Sequence, residues 1–412
     1  MTQIQHWAVY INNQSNKHSL IEQLFSETNP PHVFERLKGL KGALFSKSAL
    51  DNFMEEEIKH DRKLLTSSTP QSLQSMSSGE RKKALLNYLM TTAPDFLVLD
   101  NPFDNLDIDS QEHLKKVLDN ISDHIAIIQL ISRSSDLLPF ITNYFSLELT
   151  ELISLNKPSS TESKKNNFLK RDIPTALNCF TYSHEYLIKF KNVSVHYEEK
   201  SVLKNINWKI KPGEFWELTG KNGSGKTTLL SMITGDNPKG YGQDIFLFGM
   251  QKGSGESVWD IKKNIGYFTP AMVDRFRGYH SLENMLISGL LDSIGLYVTP
   301  NQAQLRIARE WLALIDMEDK KHCYFHDLSP GQQRLIMCVR AMIKHPLLLI
   351  LDEPTAGLDD ASAALVVALV NKMAAESQTT LIYVSHRKEP ELKAQFVYQL
   401  ELTQGGSIGT VV

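Results

Sequence analysis

One stretch of the chain carries the residue types that bind phosphate: Gly220, Asn222, Gly223, Ser224, Gly225, Lys226, Thr227 and Thr228. The run Gly220 to Thr227 has the spacing G-x-x-x-x-G-K-[ST], between an apolar strand and a helix, the context that pattern requires. The glycines let the backbone turn tightly around a phosphate with its N–H groups pointing inward. The helix N-terminus adds the positive end of its dipole. Lys226 is then expected to reach the β- and γ-phosphates of a nucleotide, and Thr227 to hold Mg²⁺. A glycine-rich turn before an ordinary helix is the plainer alternative.

Two further groups could complete such chemistry. Leu348–Pro354 (LLILDEP) reads as a buried strand ending in two acids, and buried strands deliver side chains to the carboxyl edge of an open α/β sheet. Asp352 is expected to support Mg²⁺ and Glu353 to polarise an attacking water. Leu328–Gln332 (LSPGQ) precedes a helix, and Ser329 and Gly331 could offer hydroxyl and backbone donors to a phosphate. Taken alone, Ser329 with Gln332 is only a helix capping box.

The elements that must position these groups follow from periodicity. Leu187–Tyr197 and Phe215–Thr219 read as strands, Lys226–Gly235 as a helix ending at glycine, and Gln302–Ile315 as an amphipathic helix. Gln332–Lys344 reads as a helix closed by Pro346, and Leu347–Leu351 and Leu381–Val384 as buried strands. Alternating strands and helices imply an α/β fold with a largely parallel core sheet.

The motif order occurs twice. Met76–Glu80, Phe96–Asp107 and Arg133 repeat Leu328–Gln332, Leu348–Asp359 and His386. Gly79 to Gly331 is 331 − 79 = 252 residues, Asp100 to Asp352 is 352 − 100 = 252, and Arg133 to His386 is 386 − 133 = 253. Trp7 and Lys17 lie 209 residues before Trp216 and Lys226, so Tyr10–Ser19 (YINNQSNKHS) stands where Thr219–Thr228 stands. The first copy is then 252 − 209 = 43 residues shorter between loop and signature. The division expected is a degenerate first copy over 1–153, a joining stretch over 154–185 and a complete second copy over 186–412. The run Lys157–Asn167 is polar and reads as a flexible linker, with an ordered surface loop as the alternative.

Composition narrows the class. The chain has 412 residues, 42% of them hydrophobic, and a net charge of −3. It shows no strong nucleic-acid signal and no global attraction to an anionic surface. Cys179, Cys323 and Cys338 are scattered and odd in number, which fits reduced thiols. No apolar run approaches the ~20 residues of a membrane-spanning helix, and the first residues lack a signal-peptide pattern. The expectation is a cytoplasmic chain, able to sit peripherally at the inner face of the plasma membrane through a separate partner.

With these motifs in this order, the chain resembles the ABC (ATP-binding cassette) ATPases over nearly its whole length. Gly235–Tyr241 (GDNPKGY) and Gly253–Lys263 (GSGESVWDIKK) are similar to stretches of two-cassette members associated with molybdenum transport or photorepair. The resemblance implies tandem P-loop NTPase cassettes, each with a mostly parallel core sheet, flanking helices and a helical subdomain, reduced in the first copy. It implies ATP and Mg²⁺ as ligands, and hydrolysis of ATP to ADP and phosphate. It implies that each ATP lies between one cassette's phosphate loop and the other's signature, Ser77, Ser78 and Gly79 serving the second-copy loop. Tyr197 matches the aromatic that stacks on adenine, though a core-facing strand tyrosine is the plainer reading. His386 matches the histidine that contacts the γ-phosphate, and Asp359 the acid of the loop between sites, or else a helix cap. One departure stands out: Phe268-Thr-Pro-Ala271 follows Ile265-Gly-Tyr267, where the family has a glutamine that touches Mg²⁺ and the membrane partner.

The two sites so assembled are unequal. The first combines Lys226, Thr227, Asp352, Glu353 and His386 with Ser77–Gly79. The second combines Lys17, Asp100, Asn101 and Arg133 with Ser329 and Gly331. In it Ile11, Gln14 and Asn16 take the glycine places, Asn101 replaces the glutamate and Arg133 the histidine. An amide cannot accept a proton as a carboxylate does, so this site is expected to hold nucleotide weakly at most. The first copy then serves as a built-in partner, the alternative being a relic beside a homodimerising second copy. The resulting expectation is the ATP-hydrolysing subunit of a transporter with a separate transmembrane permease. A soluble conformational switch, regulatory or repair-related, is the alternative, and a translation- or DNA-associated ATPase ranks third.

Overall fold

The computed structural model describes residues 4–26, 30–60, 62–66, 71–156, 171–177, 182–198, 200–276 and 278–412. The run read as a linker, Lys157–Asn167, and Cys179 lie outside the described residues. The chain forms two compact units. One comprises Met1–Lys164 with Gly357–Asp360, and the other Lys165–Ala356 with Ala361–Val412. The division at 164/165 falls inside the stretch 154–185 expected to join the copies.

The first unit runs β1 (Trp7–Ile11), α1 (Lys17–Leu24), β2 (Gly42–Phe45), α2 (Lys47–His60), α3 (Ser78–Thr91), β3 (Phe96–Asp100), α4 (Ile108–Ser122), β4 (Ala126–Ile131), β5 (Asn143–Glu148) and β6 (Glu151–Leu155). Its sheet has the order β2-β3-β4-β1-β5-β6, parallel throughout except for the edge pair β5–β6. The middle strands are apolar except for Gln129 of β4 and Asp100 at the end of β3, because both faces are covered. Phe96 and Val98 pack with Leu20, Leu24 and Phe34 on one side. Leu97 and Leu99 pack with Leu85, Leu86 and Leu114 on the other.

The second unit runs β7 (Ile188–Tyr197), β8 (Lys200–Ile210), β9 (Phe215–Gly220), α5 (Lys226–Ile233), β10 (Ile245–Leu247), β11 (Met250–Gln251), α6 (Val258–Lys262), β12 (Ile265–Phe268), α7 (Leu282–Leu290), α8 (Gln302–Leu314), α9 (Pro330–Met342), β13 (Leu348–Asp352), α10 (Asp360–Glu376), β14 (Thr380–Val384), β15 (Phe396–Glu401) and β16 (Ile408–Val411). Its core sheet, β12-β13-β14-β9-β15-β16, repeats the order of the first. An antiparallel sheet, β11-β10-β7-β8, packs its Trp208 on Trp216 and Tyr398 of the core sheet. Helix α9 starts two residues before the expected Gln332, because Ser329 caps it with its side chain and Pro330 tolerates the first helical position.

The repeat reaches the backbone. Left-handed φ values occur at Ala93, Asn101 and Asn105, and again 252 residues later at His345, Glu353 and Gly357. Signature helices α3 and α9 each open on a capping box, Ser77 with Glu80 and Ser329 with Gln332. Between sheet and signature the copies diverge. The second unit carries α7 and α8 there, whereas the described residues of the first carry α2. The helical subdomain of the first copy is reduced accordingly.

Candidate functional site

The second-unit loop follows directly from its glycines. Gly220, Gly223 and Gly225 have φ of +149°, +77° and +90°, conformations that other residues seldom adopt. A Cβ on Gly220 would lie 2.6 Å from Ser224 Oγ and 2.7 Å from the Leu400 carbonyl oxygen. One on Gly225 would lie 2.7 Å from Leu203 Cδ2. Helix α5 begins at Lys226 with Gly225 as its N-cap, so no side chain covers its first N–H groups. The buried Lys226 ammonium donates to the Gly220 and Lys221 carbonyls at 2.7 and 3.0 Å.

Opposite the loop, β13 and β14 end side by side with Asp352 paired to Val384. Glu353 takes φ +51° and donates its N–H to the Val384 carbonyl at 2.9 Å, which turns its side chain off the strand end. His386 Nε2 lies 2.5 Å from Glu353 Oε1. A cavity of about 240 Å³ is lined by Val202, Asn222–Thr228, Asp352, Glu353 and His386. The second unit therefore gathers Lys226, Thr227, Thr228, Asp352, Glu353 and His386 around one space.

The two acids are held differently. Burial, then the Glu353 charge, pushes the Asp352 carboxyl up to about 6, against the pull of Lys226 and His386. Burial would raise Glu353 as well. The His386 hydrogen bond and charge, with Lys226 and Arg334, overcome it and hold Glu353 below the ordinary carboxylate range. Glu353 is thus ionised at neutral pH, and Asp352 lacks enough positive charge around it. Added Mg²⁺ and phosphate fit these residues. The loop is a cradle that a Cβ would fill, Asp352 is an oxygen donor short of a cation, and the buried Ser224 Oγ has no hydrogen-bond partner among the described residues.

This predicts a measurable linkage. The unfolded Asp352 carboxyl titrates near 4 and the folded one at about 6, so its contribution to stability is complete below about pH 4 and lost as pH rises to about 6. Asp352→Asn should therefore stabilise the nucleotide-free protein at pH 7.5 by on the order of 2 kcal/mol. That gain should shrink steadily as pH is lowered from 6 towards 4. Denaturant midpoints at several pH values without Mg²⁺ check it; a gain independent of pH would refute the assignment.

The same place in the first unit is closed by its own side chains. Helix α1 begins at Lys17 as α5 begins at Lys226. Its N-cap is Asn16, whose Oδ1 accepts from Ser19 N at 3.1 Å. Asn12 Oδ1 accepts from Gln14 N at 2.8 Å, and Ser15 Oγ from Asn12 N at 2.9 Å. The Asn16 N–H donates to the Leu149 carbonyl at 2.7 Å. Lys17 Nζ lies 3.1 and 2.9 Å from the two Asp100 oxygens, so lysine and acid neutralise each other.

One sequence assignment is corrected. Strand register pairs Asp100 with Leu130 and Asp352 with Val384. Two residues beyond lie Ser132 and His386, so Ser132 and not Arg133 holds the histidine's place. The path between the strands is two residues shorter in the first copy, which the motif spacing concealed. Asn101 Nδ2 donates to Ser132 Oγ at 3.1 Å, where Glu353 meets His386 in the other unit.

Other expected residues have local duties. Ser77 Oγ lies 3.3 Å from Glu80 N, and Ser78 Oγ donates to the Asn105 carbonyl at 2.8 Å. A Cβ on Gly79 would lie 2.9 Å from Ser110 Oγ, so a side chain there would displace the Ser110 hydroxyl where α3 packs on α4. Ser329 caps α9, and Gly331 is buried in its first turn. Tyr197 accepts a hydrogen bond from Asn237 Nδ2 at 2.9 Å and does not line the cavity, whereas Val202 of β8 does. Arg334 was not foreseen either. It donates to the Ala356 carbonyl at 3.0 Å and helps keep Glu353 ionised. No spacing rule marks either residue.

Known proteins resemble this chain in sequence. The family model for ABC transporters matches residues 203–356. The ABC transporter ATP-binding protein ModF of Escherichia coli is 35% identical over 348 residues, 81% of this chain and 71% of its own length. An uncharacterized ABC transporter ATP-binding protein of Schizosaccharomyces pombe is 33% identical over 343 residues, 79% of this chain and 67% of its own. The solved cbiO1 of Clostridium perfringens, described as part of an ABC transporter complex, is 25% identical over 55% of this chain and 88% of its own, with a TM-score of 0.47. Duplicated motifs, repeated sheet order and identity across four-fifths of the sequence lead to one conclusion: the chain belongs to the ABC transporter ATP-binding protein family.

Proposed function

We propose that the chain binds ATP with Mg²⁺ at the second-unit loop and hydrolyses it there, as the ATPase subunit of a transporter whose membrane-spanning part is a separate permease. The pairing of Glu353 with His386 beside Lys226 carries this reading. Lys226 and the loop N–H groups hold the phosphates. Thr227 and Asp352 would hold Mg²⁺, which when bound neutralises charge between the phosphates. Glu353, kept ionised, orients and polarises the attacking water. His386 holds Glu353 in place and can donate to the transferred phosphoryl group. By family resemblance, Ser77–Gly79 supply the signature for this nucleotide, so the first copy acts as a built-in activating partner.

The first-copy site is proposed to hold nucleotide weakly at most, which its side-chain-filled loop supports. No helix among the described residues is long and apolar enough to cross a membrane, and the proposal assigns the permease to a separate chain. The second reading is a soluble ATP-driven switch, favoured by the reduced helical subdomain of the first copy and by Phe268-Thr-Pro-Ala271 in place of a glutamine loop.

Affinity capture with Glu353→Gln, which should rest in its ATP-bound state, separates the two. A stoichiometric membrane protein recovered with ATP and released without it supports the transporter subunit. A chain recovered alone, or with a soluble partner, from both membrane and soluble fractions overturns it in favour of the switch.

A further inference from the structure

Glu353 and His386 stand on separate loops, the first after β13 and the second after β14. Their 2.5 Å approach therefore needs something to fix one loop against the other. A buried link beside the cavity joins them. Thr355, two residues after Glu353, donates its hydroxyl to Glu389 Oε1 at 2.6 Å, three residues after His386. Thr355 Oγ1 also lies 3.2 Å from the buried Tyr383 hydroxyl of β14. Thr355 and Glu389 are 4% and 7% exposed. Between them Ser385 Oγ takes part in a tight turn with Arg387, accepting its N–H at 3.0 Å and donating to its carbonyl at 2.7 Å. Further on, Asn371 of α10 holds Glu391 and Lys393 by their backbone.

The first copy provides an internal control. Thr355 corresponds to Phe103, 252 residues earlier, which is wholly buried. Tyr383 corresponds by strand register to Gln129, which instead binds the Asp136 carbonyl and Leu138 N–H. The loop-to-loop bond thus accompanies the unit that has the glutamate and histidine, and an apolar side chain fills its place in the unit that has neither.

We propose that Glu389 is a positioning residue: through Thr355 it fixes the loop of His386 against the loop of Glu353. It is not among the residues that line the cavity. The proposal rests on hydrolysis at the Glu353 site.

The test is steady-state ATP hydrolysis by the full chain, with kcat and KM determined separately and folding checked by thermal melting. Misplacing a reacting group by about 1 Å can cost ~100-fold, so Glu389→Ala is expected to lower kcat roughly 30- to 100-fold with KM changed less than about threefold. Glu389→Gln keeps an acceptor for the Thr355 hydroxyl and should retain kcat within about threefold. The pair Thr355→Val with Glu389→Leu, made together with Tyr383→Phe because that hydroxyl lies 3.2 Å from Thr355 Oγ1, removes the polar link as a unit. It should fold even where Glu389→Ala does not, and should lose kcat as the alanine variant does. A folded apolar variant with wild-type kcat would overturn the proposal, as would a loss expressed in KM alone. Wild-type protein that turns over no ATP would instead refute the assigned activity, so the two failures are distinguishable.

Discussion

Glu353→Gln is expected to lower ATP turnover by about 100- to 10,000-fold while leaving ATP binding within a few-fold of wild type. The side chain keeps its size and its hydrogen bond to His386, but an amide neither carries charge nor accepts a proton. The environment around Glu353 is arranged for a charged group. Burial opposes ionisation, and His386 at 2.5 Å, Lys226 and Arg334 overcome that opposition. Asp100→Ala in the first copy should leave turnover within about threefold, because Asn101 already stands where the glutamate would be and Lys17 is the partner of Asp100. Phosphate release from both variants at saturating ATP measures this. Residual activity near wild type in Glu353→Gln would mean that another group polarises the water. A collapse in Asp100→Ala would move the hydrolytic site to the first copy.

Lys226→Ala should weaken ATP binding by two orders of magnitude or more, about 3 kcal/mol, whereas Lys17→Ala should leave it unchanged. Both lysines open a helix after a core strand, but only Lys226 sits in a loop of positive-φ glycines whose N–H groups can converge on phosphate. Around Lys17 the equivalent donors bond to Asn12, Ser15 and Asn16 side chains, and the ammonium is bound by Asp100. Entry of a nucleotide there would have to break those bonds first. Equilibrium dialysis with a non-hydrolysable ATP analogue should accordingly give one nucleotide per chain. Two per chain, or equal losses from the two lysine variants, would show that the first-copy loop opens.

The sequence by itself determined the fold class and displayed the recurrence of motifs from which the second-copy site is proposed. A phosphate loop is encoded locally, because glycine freedom, a following helix and a lysine at fixed spacing act within one turn of chain. Apolar strands ending in acids are equally local, and the 252-residue recurrence needs no coordinates to count. What depended on pairing between distant strands could not be read this way. The motif offset pointed to Arg133, but the register of β3 with β4 placed Ser132 beside Asn101, since a two-residue difference in an intervening segment is invisible until the strands are aligned. Val202, Arg334 and the Thr355–Glu389 bond reach the site from strands, helices and loops far apart in sequence. Their placement follows from packing and burial, which only the tertiary structure decides.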